Sequence, residues 1–357
     1  MNEVLKKLRK EIDQIDSAIL NLLSRRAKTA KKTAKIKSNS KNKNIFRPER
    51  EAQIIRNILK LNKGPLTDEH LSIIYKEIIS SCLSLETDLK VSFLGPTGSF
   101  SGLALKKVFG SAVSPTCRDS IIEIFDDVIS KTVDYGIVPI ENSNQGSINQ
   151  TLELLIDKPL LICGEINLDV KHCLLSNNKK FSSIKTIYAH EQTFLQCKDW
   201  LTKNLPNCKK ISTSSNSEAA RRVTKIKNSA AIASHDCSSE YDLHILKNNI
   251  QDCFNNVTRF ILIGSEDIDM SGKDKTSIIV SANNKSGALY SLLKPLSTNK
   301  ISMTKIESIP TKRKNWEYMF FLDVDGHIKQ PKIKKALNLI KKKSTFFKNL
   351  GSYPKSI

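Results

Sequence analysis

No run of about 18 consecutive apolar residues occurs in this 357-residue chain, so no membrane-spanning helix and no membrane partner is expected. The opening Met-Asn-Glu-Val-Leu-Lys-Lys lacks an apolar core followed by a small-residue cleavage site. It does not read as a signal peptide. Eight cysteines, at 82, 117, 163, 173, 197, 208, 237 and 253, form no Cys-x-x-Cys pair and no Cys/His cluster at metal-ligand spacing. That predicts no metal site. Thiols scattered in this way fit a reducing cytoplasm. Neither the Gly-Lys-Ser/Thr of a phosphate-binding loop nor Gly-x-Gly-x-x-Gly is present, so no nucleotide cofactor is indicated.

What is abundant is positive charge, with a formal net of +21. Its distribution argues against nucleic acid. Residues 1–63 hold 18 Lys+Arg against 6 Asp+Glu, residues 329–357 hold 9 Lys and no acid, and the rest is balanced. The basic segments lack interleaved aromatics on which bases stack. With 39% hydrophobic and 26% charged residues the chain reads as globular. Its length predicts two or three domains.

Residues 3–38 read as one long helix. Leu5, Leu8, Ile12, Ile15, Ile19 and Leu22 recur at 3-4-3-4-3 spacing, uninterrupted by Gly or Pro. A helix of that length spans about 54 Å, too long for a small domain to cover alone, so a second copy is the natural partner. Helices are also predicted over 47–62 and 67–86, separated by Gly64-Pro65. Arg26, four residues after Leu22, lies on the apolar seam. Lys37, eleven residues on, returns to within about 20° of the same face. Two cations there call for a buried anion. Arg9 points about 100° away and so serves a second site, on the partner chain.

Residues 90–266 alternate short apolar runs (90–94, 135–140, 160–163, 186–189, 230–233 and 260–263) with helical stretches at 120–130, 192–201 and 217–225. This predicts an α/β region. Gly95-Pro-Thr-Gly-Ser-Phe-Ser101 follows a strand and opens a helix, so the backbone N–H groups around Gly98 and Ser99 can hold an anion. A carboxylate fits better than a nucleotide. Residues 274–354 read β-α-β-β-α-β: strand 276–281, helix from Gly287, hairpin 301–310 with 316–324, helix 332–343, strand 346–353.

Three ordered segments carry a resemblance: Gly95–Ser101, Val138-Pro-Ile-Glu-Asn-Ser143 and Asn256-Val-Thr-Arg-Phe260. In this order, over about 165 residues, they resemble the prephenate dehydratases. That family implies a two-lobed, periplasmic-binding-protein-like α/β fold. It implies that Thr258 sits at the leaving hydroxyl. Arg259 anchors substrate or positions the loop, and Phe260 joins the substrate contacts. Glu141, Asn142 and Ser143 face the cleft, with Gln196 and Ser215 lining the rest. His190 is read as structural.

The opening Leu8–Arg26, with Arg47-Pro-Glu-Arg-Glu-Ala-Gln53, resembles the all-helical chorismate mutases, which are intertwined dimers. The resemblance implies that Arg26 and a partner's Arg9 hold carboxylates. It places Lys37 at the ether oxygen, Glu51 at the substrate hydroxyl and Arg50 in support. Cys82 and Glu86, one turn apart, supply the last contacts. Some members have Asp where Arg47 stands, Ser where Cys82 stands or Gln where Glu86 stands. A Glu at the ether oxygen acts only when protonated, so mutase activity is expected to fall as pH rises past neutrality.

The C-terminal pattern resembles the ferredoxin-like ACT regulatory domains, which pair and bind an amino acid, here L-phenylalanine. Gly287-Ala288-Leu289 matches one ligand motif. Glu307-Ser308-Ile309-Pro310 stands where Glu-Ser-Arg-Pro is usual, and the lost cation predicts weakened feedback inhibition. The resemblances imply domains at 1–88, 89–268 and 274–354, no cofactor, and chorismate and prephenate as substrates. A homodimer or higher oligomer follows from the two pairing domains, and the scattered thiols make it cytoplasmic. The alternatives are a dehydratase whose helical domain is only a dimerisation arm, and a non-enzymatic amino-acid sensor.

Overall fold

The computed structural model describes residues 2–38, 46–282, 285–310 and 318–356, the side chains of 2, 37 and 38 excepted. The chain forms two compact units, one of residues 1–89 with 109–114 and one of 90–108 with 115–357.

The first unit is helical. α1 (Asn2–Ser38) runs unbroken, followed by α2 (Pro48–Leu61) and α3 (Asp68–Leu83). Pro48 opens α2, where its missing N–H costs nothing. The Thr67 side chain caps α3 by accepting from the His70 amide. α3 stops at Leu83, short of the expected 86, and Glu86 lies in the turn beyond it. Phe46, Ala52, Ile55, Ile79 and Leu83 form the interior. The Phe109 ring packs 4.8 Å from Phe46. Ser111 donates to Glu77, and the Ala112 amide to Ser80. This ties segment 109–114 to the helices. The seam residues Leu5, Leu8, Ile12, Ile15, Ile19 and Leu22 are all exposed.

In the second unit, a first lobe is built on β1 (Lys90–Leu94), β2 (Ser114–Arg118), β3 (Tyr135–Asn142), β4 (Gly146–Ser147), β5 (Leu161–Asp169) and β11 (Val257–Gly264). Its order is β2-β1-β3-β11-β5, with β4 on β3. β11 is antiparallel to both neighbours. Helices α4 (Phe100–Phe109), α5 (Ile121–Ile129) and α6 (Asn149–Asp157) accompany it. A second lobe holds β6 (Cys173–Ser176), β7 (Thr186–His190), β8 (Lys209–Thr213), β9 (Ser229–Ala233) and β10 (His244–Lys247), ordered β10-β6-β9-β7-β8. Its helices are α7 (Glu191–Gln196), α8 (Lys198–Asn204), α9 (Asn216–Val223) and α10 (Asp236–Glu240). The chain crosses between lobes twice, from β5 to β6 and from β10 to β11. The single helix expected over 192–201 is two helices broken at Cys197, because the Asp252 carboxylate accepts from the Asp199 and Trp200 amides and starts α8 afresh.

The C-terminal sheet is β13 (Met303–Pro310), β14 (Tyr318–Asp325), β12 (Asp274–Ser281) and β15 (Phe346–Pro354), in that order and antiparallel. α11 (Ala288–Thr298) and α12 (Pro331–Lys343) complete β-α-β-β-α-β. Residue alternation divides this sheet in two. Ile278, Val280, Leu322 and Val324 pack with the helices. Ile279, Ile309, Met319, Phe321, Leu350 and Tyr353 join the core of the first lobe. Each such side chain contributes about 1.5–3 kcal/mol relative to exposure, against about 0–1 kcal/mol for a surface ion pair. The apolar face therefore holds the sheet to the lobe. Lys348 adds a polar anchor: its Nζ donates to the carbonyls of Leu155, Ile156 and Lys158, closing the end of α6.

Candidate active sites

In the helical unit three elements converge on one charged cluster. Arg26 of α1 donates through Nη1 to the Ile78 carbonyl of α3, at 3.2 Å. Glu51 of α2 faces Arg26 and Lys76. Burial pushes the Glu51 carboxyl up to about 7, against the pull of Lys76 and Arg26. Sequence reasoning missed Lys76. Its signal was a cation inside the apolar run Ile73–Ile79, the same feature that singled out Arg26. Cys82 is buried on α3, and Glu86 is half-buried in the turn beyond. Arg50 is exposed, and Arg47 pairs with the buried Glu49 at 2.7 Å. Lys37 lies on the last turns of α1, with its side chain outside the described residues. Arg9 and Arg26 are 17 positions apart on one straight helix, about 25 Å. Arg9 therefore does not reach the Arg26–Glu51 cluster of its own chain.

In the two-lobed unit, strand pairing brings two sequence motifs together. β11 lies beside β3 with Thr258 opposite Asn142 and Arg259 opposite Glu141. Asn142 Nδ2 donates to Thr258 Oγ1 at 2.9 Å and to Asn256 Oδ1 at 2.8 Å. Asn142 Oδ1 accepts from the Asn144 and Gln145 amides. Those bonds fix the amide orientation, so the NH2 group is the one facing Thr258. Ser143 completes the joint: its hydroxyl donates to the Asn255 carbonyl and accepts from the Val257 amide. With Oγ1 occupied as an acceptor, the Thr258 proton is left for another group.

The loop from Gly95 to Ser101 reaches the second lobe. Gly98, at φ +81°, turns its carbonyl toward Ser234 Oγ (3.1 Å) and Cys237 Sγ (3.3 Å). Tyr241 donates to the Thr97 carbonyl. A Cβ at Gly98 would stand 3.0 Å from Cys237 Sγ. Ser99 spends its hydroxyl on the Leu94 carbonyl and the Gly102 amide, so it shapes the loop. Ser215 likewise caps α9 through the Glu218 amide. Phe100 meets the ring of His172 edge-on at 5.8 Å. His172 Nε2 and Gln196 Oε1 are 2.7 Å apart. Burial lowers the His172 pKa, against the Gln196 bond, and keeps the ring neutral. Sequence reasoning found Gln196 but not His172, which sits at the crossing between lobes. His190 accepts from the Gln192 amide and caps α7, a structural task.

Two expected cleft residues face elsewhere. Arg259 and Glu141 point to the opposite side of the sheet from Thr258. Arg259 is surrounded by Glu165, Asp323 and Tyr353. Glu141 pairs with Lys305 at 2.8 Å. Phe260 is core.

On the C-terminal unit, Gly287 precedes α11 at φ +75°, a conformation that strains any side chain. Ala288 and Leu289 follow, half-buried. Glu307 and Ile309 lie on the face toward the first lobe, whereas Ser308 is exposed. Ile309, where an Arg is usual in the resemblance, does not face solvent. It is buried among Met319, Phe321 and the first-lobe core, where its apolar side chain packs.

Three family patterns match the chain: Chorismate mutase type II over residues 8–87, Prephenate dehydratase over 91–268 and ACT domain over 276–338. Among curated proteins it is 43% identical to the bifunctional chorismate mutase/prephenate dehydratase of Pseudomonas aeruginosa, covering 99% of this chain and 98% of that one. It is 42% identical to the protein so named from Aquifex aeolicus, covering 99% of each. Among solved structures, the prephenate dehydratase of Arthrobacter aurescens in complex with L-Phe superposes with a TM-score of 0.69 at 29% identity, over 74% of this chain and 90% of that one.

Proposed function

This chain belongs to the bifunctional chorismate mutase/prephenate dehydratases, and from that premise we propose that Arg26, Lys37 and Glu51 carry its first reaction and Thr258 with Asn142 its second. It rearranges chorismate to prephenate and converts prephenate to phenylpyruvate, carbon dioxide and water.

The rearrangement is unimolecular and needs no nucleophile. Cations hold the dianion in its reactive conformer, and donors meet the charge that develops at the ether oxygen. Arg26 and a partner's Arg9 take the carboxylates. Lys37 and Glu86 meet the ether oxygen, and Glu51 takes the hydroxyl. Arg47, Arg50 and Cys82 complete the surround. In the second reaction the bond from C1 to the carboxylate breaks, and its electron pair enters the ring. Hydroxide leaves C4 and takes a proton to become water. The Asn142 amide, donating to Thr258 Oγ1, polarises that hydroxyl and aims its proton outward. The backbone around Gly98 and Ser99, with Gln196 and Ser215, binds the substrate carboxylates.

The domains are proposed at 1–88, 89–268 and 274–354. L-phenylalanine is the proposed effector, contacting Gly287, Ala288, Leu289, Glu307 and Ser308. The exposed seam of α1 supports a homodimer, and the scattered cysteines fit a reducing cytoplasm. The observation that carries the reading is the Asn142–Thr258 bond joining two distant motifs on adjacent strands. The experiment supplies chorismate alone and follows prephenate and phenylpyruvate separately. Both should appear in turn. Turnover of added prephenate but not chorismate would leave the helical unit a dimerisation arm, and turnover of neither would overturn the assignment.

A further inference from the structure

On the two central strands of the first lobe, neighbouring residues divide between two faces. Asn142 and Thr258 form one cross-strand pair; Glu141 and Arg259 form the next and face the other way. The C-terminal sheet holds both members of that second pair. Arg259 Nη1 donates to Asp323 Oδ2 at 2.5 Å and Nη2 to the Tyr353 hydroxyl at 2.9 Å. Its Nε lies 2.8 Å from Glu165, which also takes Lys275 at 2.7 Å. The Ser277 hydroxyl links Asp323 to Tyr353. Burial and the neighbouring Asp323 push the Tyr353 phenol well above its ordinary range, so it meets Arg259 as a neutral acceptor. Glu141 pairs with Lys305 at 2.8 Å, and Lys305 also donates to Ser147. Lys305 and Asp323 are themselves cross-strand partners on β13 and β14.

We propose that Asp323 and Lys305 are positioning residues for dehydration: from the C-terminal hairpin they fix Arg259 and Glu141, and so the register in which Asn142 meets Thr258. Asp323 is fully buried and Arg259 is 9% exposed, so this bridge exchanges little with water. A buried charge that loses its partner forces its surroundings to move. A shift of an ångström at a reacting group costs about 100-fold in rate. The same hairpin carries Glu307 and Ser308. A ligand bound there therefore acts on the Lys305–Asp323 row, and through it on Thr258. This last step rests on the effector reading above. Linkage makes it reciprocal: whatever the ligand does to prephenate affinity, prephenate does to the ligand's.

The test uses the full chain with Asp323→Asn and, separately, Lys305→Met. It measures kcat and KM for prephenate, kcat for chorismate, and L-phenylalanine binding by calorimetry. Each variant is expected to lower the prephenate kcat at least about tenfold, with KM within about threefold and chorismate turnover unchanged. Asp323→Glu and Lys305→Arg should recover much of the loss. An unchanged prephenate kcat in both variants, or a loss the conservative replacements do not recover, overturns the proposal. Asp323→Asn strands a buried cation and is the variant more prone to misfold. Lys305→Met keeps the apolar stem and releases Glu141 and Glu307, each about a third exposed, and the Ser147 hydroxyl, so it strands no fully buried charge and decides alone if needed. L-phenylalanine that still binds Lys305→Met but inhibits it less supports the hairpin as the route. No binding by the unaltered chain sinks the effector reading alone, because the prephenate kcat decides the positioning roles without it.

Discussion

Burial and two cations pull Glu51 in opposite directions, and burial wins, lifting its pKa from 4.5 to about 7. A carboxyl raised in the folded state holds a proton that the unfolded chain has released. Its contribution to stability is therefore present below about 4.5 and lost as pH rises to about 7, in all about 3 kcal/mol. Glu51→Gln should remove that loss: melting temperatures of variant and parent should differ more at pH 8 than at pH 4, in favour of the variant. The same titration governs catalysis. A second anion beside Arg26 repels a dianionic substrate, so kcat/KM for chorismate should fall as pH rises through about 7, a profile that reports the free enzyme. Glu86 was expected to give the same direction. Profiles of Glu51→Gln and Glu86→Gln separate them, since only the residue responsible flattens the curve. In the other unit, Asn142→Asp removes the donor to Thr258 Oγ1. It should lower the prephenate kcat by about 100- to 1000-fold, the scale of losing one oriented donor. A loss under threefold would remove Asn142 from the mechanism.

At the scale of elements, α1 makes the sharpest claim. Its apolar seam is exposed, and Arg9 lies about 25 Å along the axis from Arg26, so on the proposed reading a second copy covers the seam and completes the site. Ile12→Asp with Ile19→Asp should yield monomers in sedimentation and abolish chorismate turnover while prephenate is still consumed. Active monomers would show that each chain completes its own site. This element was legible in the sequence because its signal is local: six apolar residues at helical spacing. Four of the six strands of the first lobe and the β-α-β-β-α-β order were legible for the same reason, whereas β2 and β4 were not. Which way Arg259 and Glu141 point was not. The partners of Arg259 stand 64 and 94 positions away, and only the strand register tells that residues 258 and 259 face opposite sides of the sheet, the latter toward the C-terminal strands. The break at Cys197 escaped as well, because its cause, Asp252, arrives from another part of the chain. Loop chemistry fell between. Gly95–Ser101 was read as a segment that opens a helix, and α4 does start at Phe100, but the contact of Gly98 with Ser234 and Cys237 needed the second lobe in place.

For the whole molecule, the two reactions should be separable. The Arg26–Glu51 cluster lies in one compact unit and Thr258 in the other. One substitution should therefore stop one reaction and spare the other. Thr258→Ala removes a hydroxyl whose oxygen is already held by Asn142 and leaves the surrounding strands paired. Fed chorismate, this variant should accumulate prephenate at the parental rate and make no phenylpyruvate. Arg26→Ala should do the reverse, consuming added prephenate normally and leaving chorismate untouched. Mixing the two variants should restore phenylpyruvate, since prephenate released by one is free to reach the other. If Thr258→Ala lost both activities while its circular dichroism stayed parental, the two sites would be coupled through the chain, and the division into independent units would have to be given up.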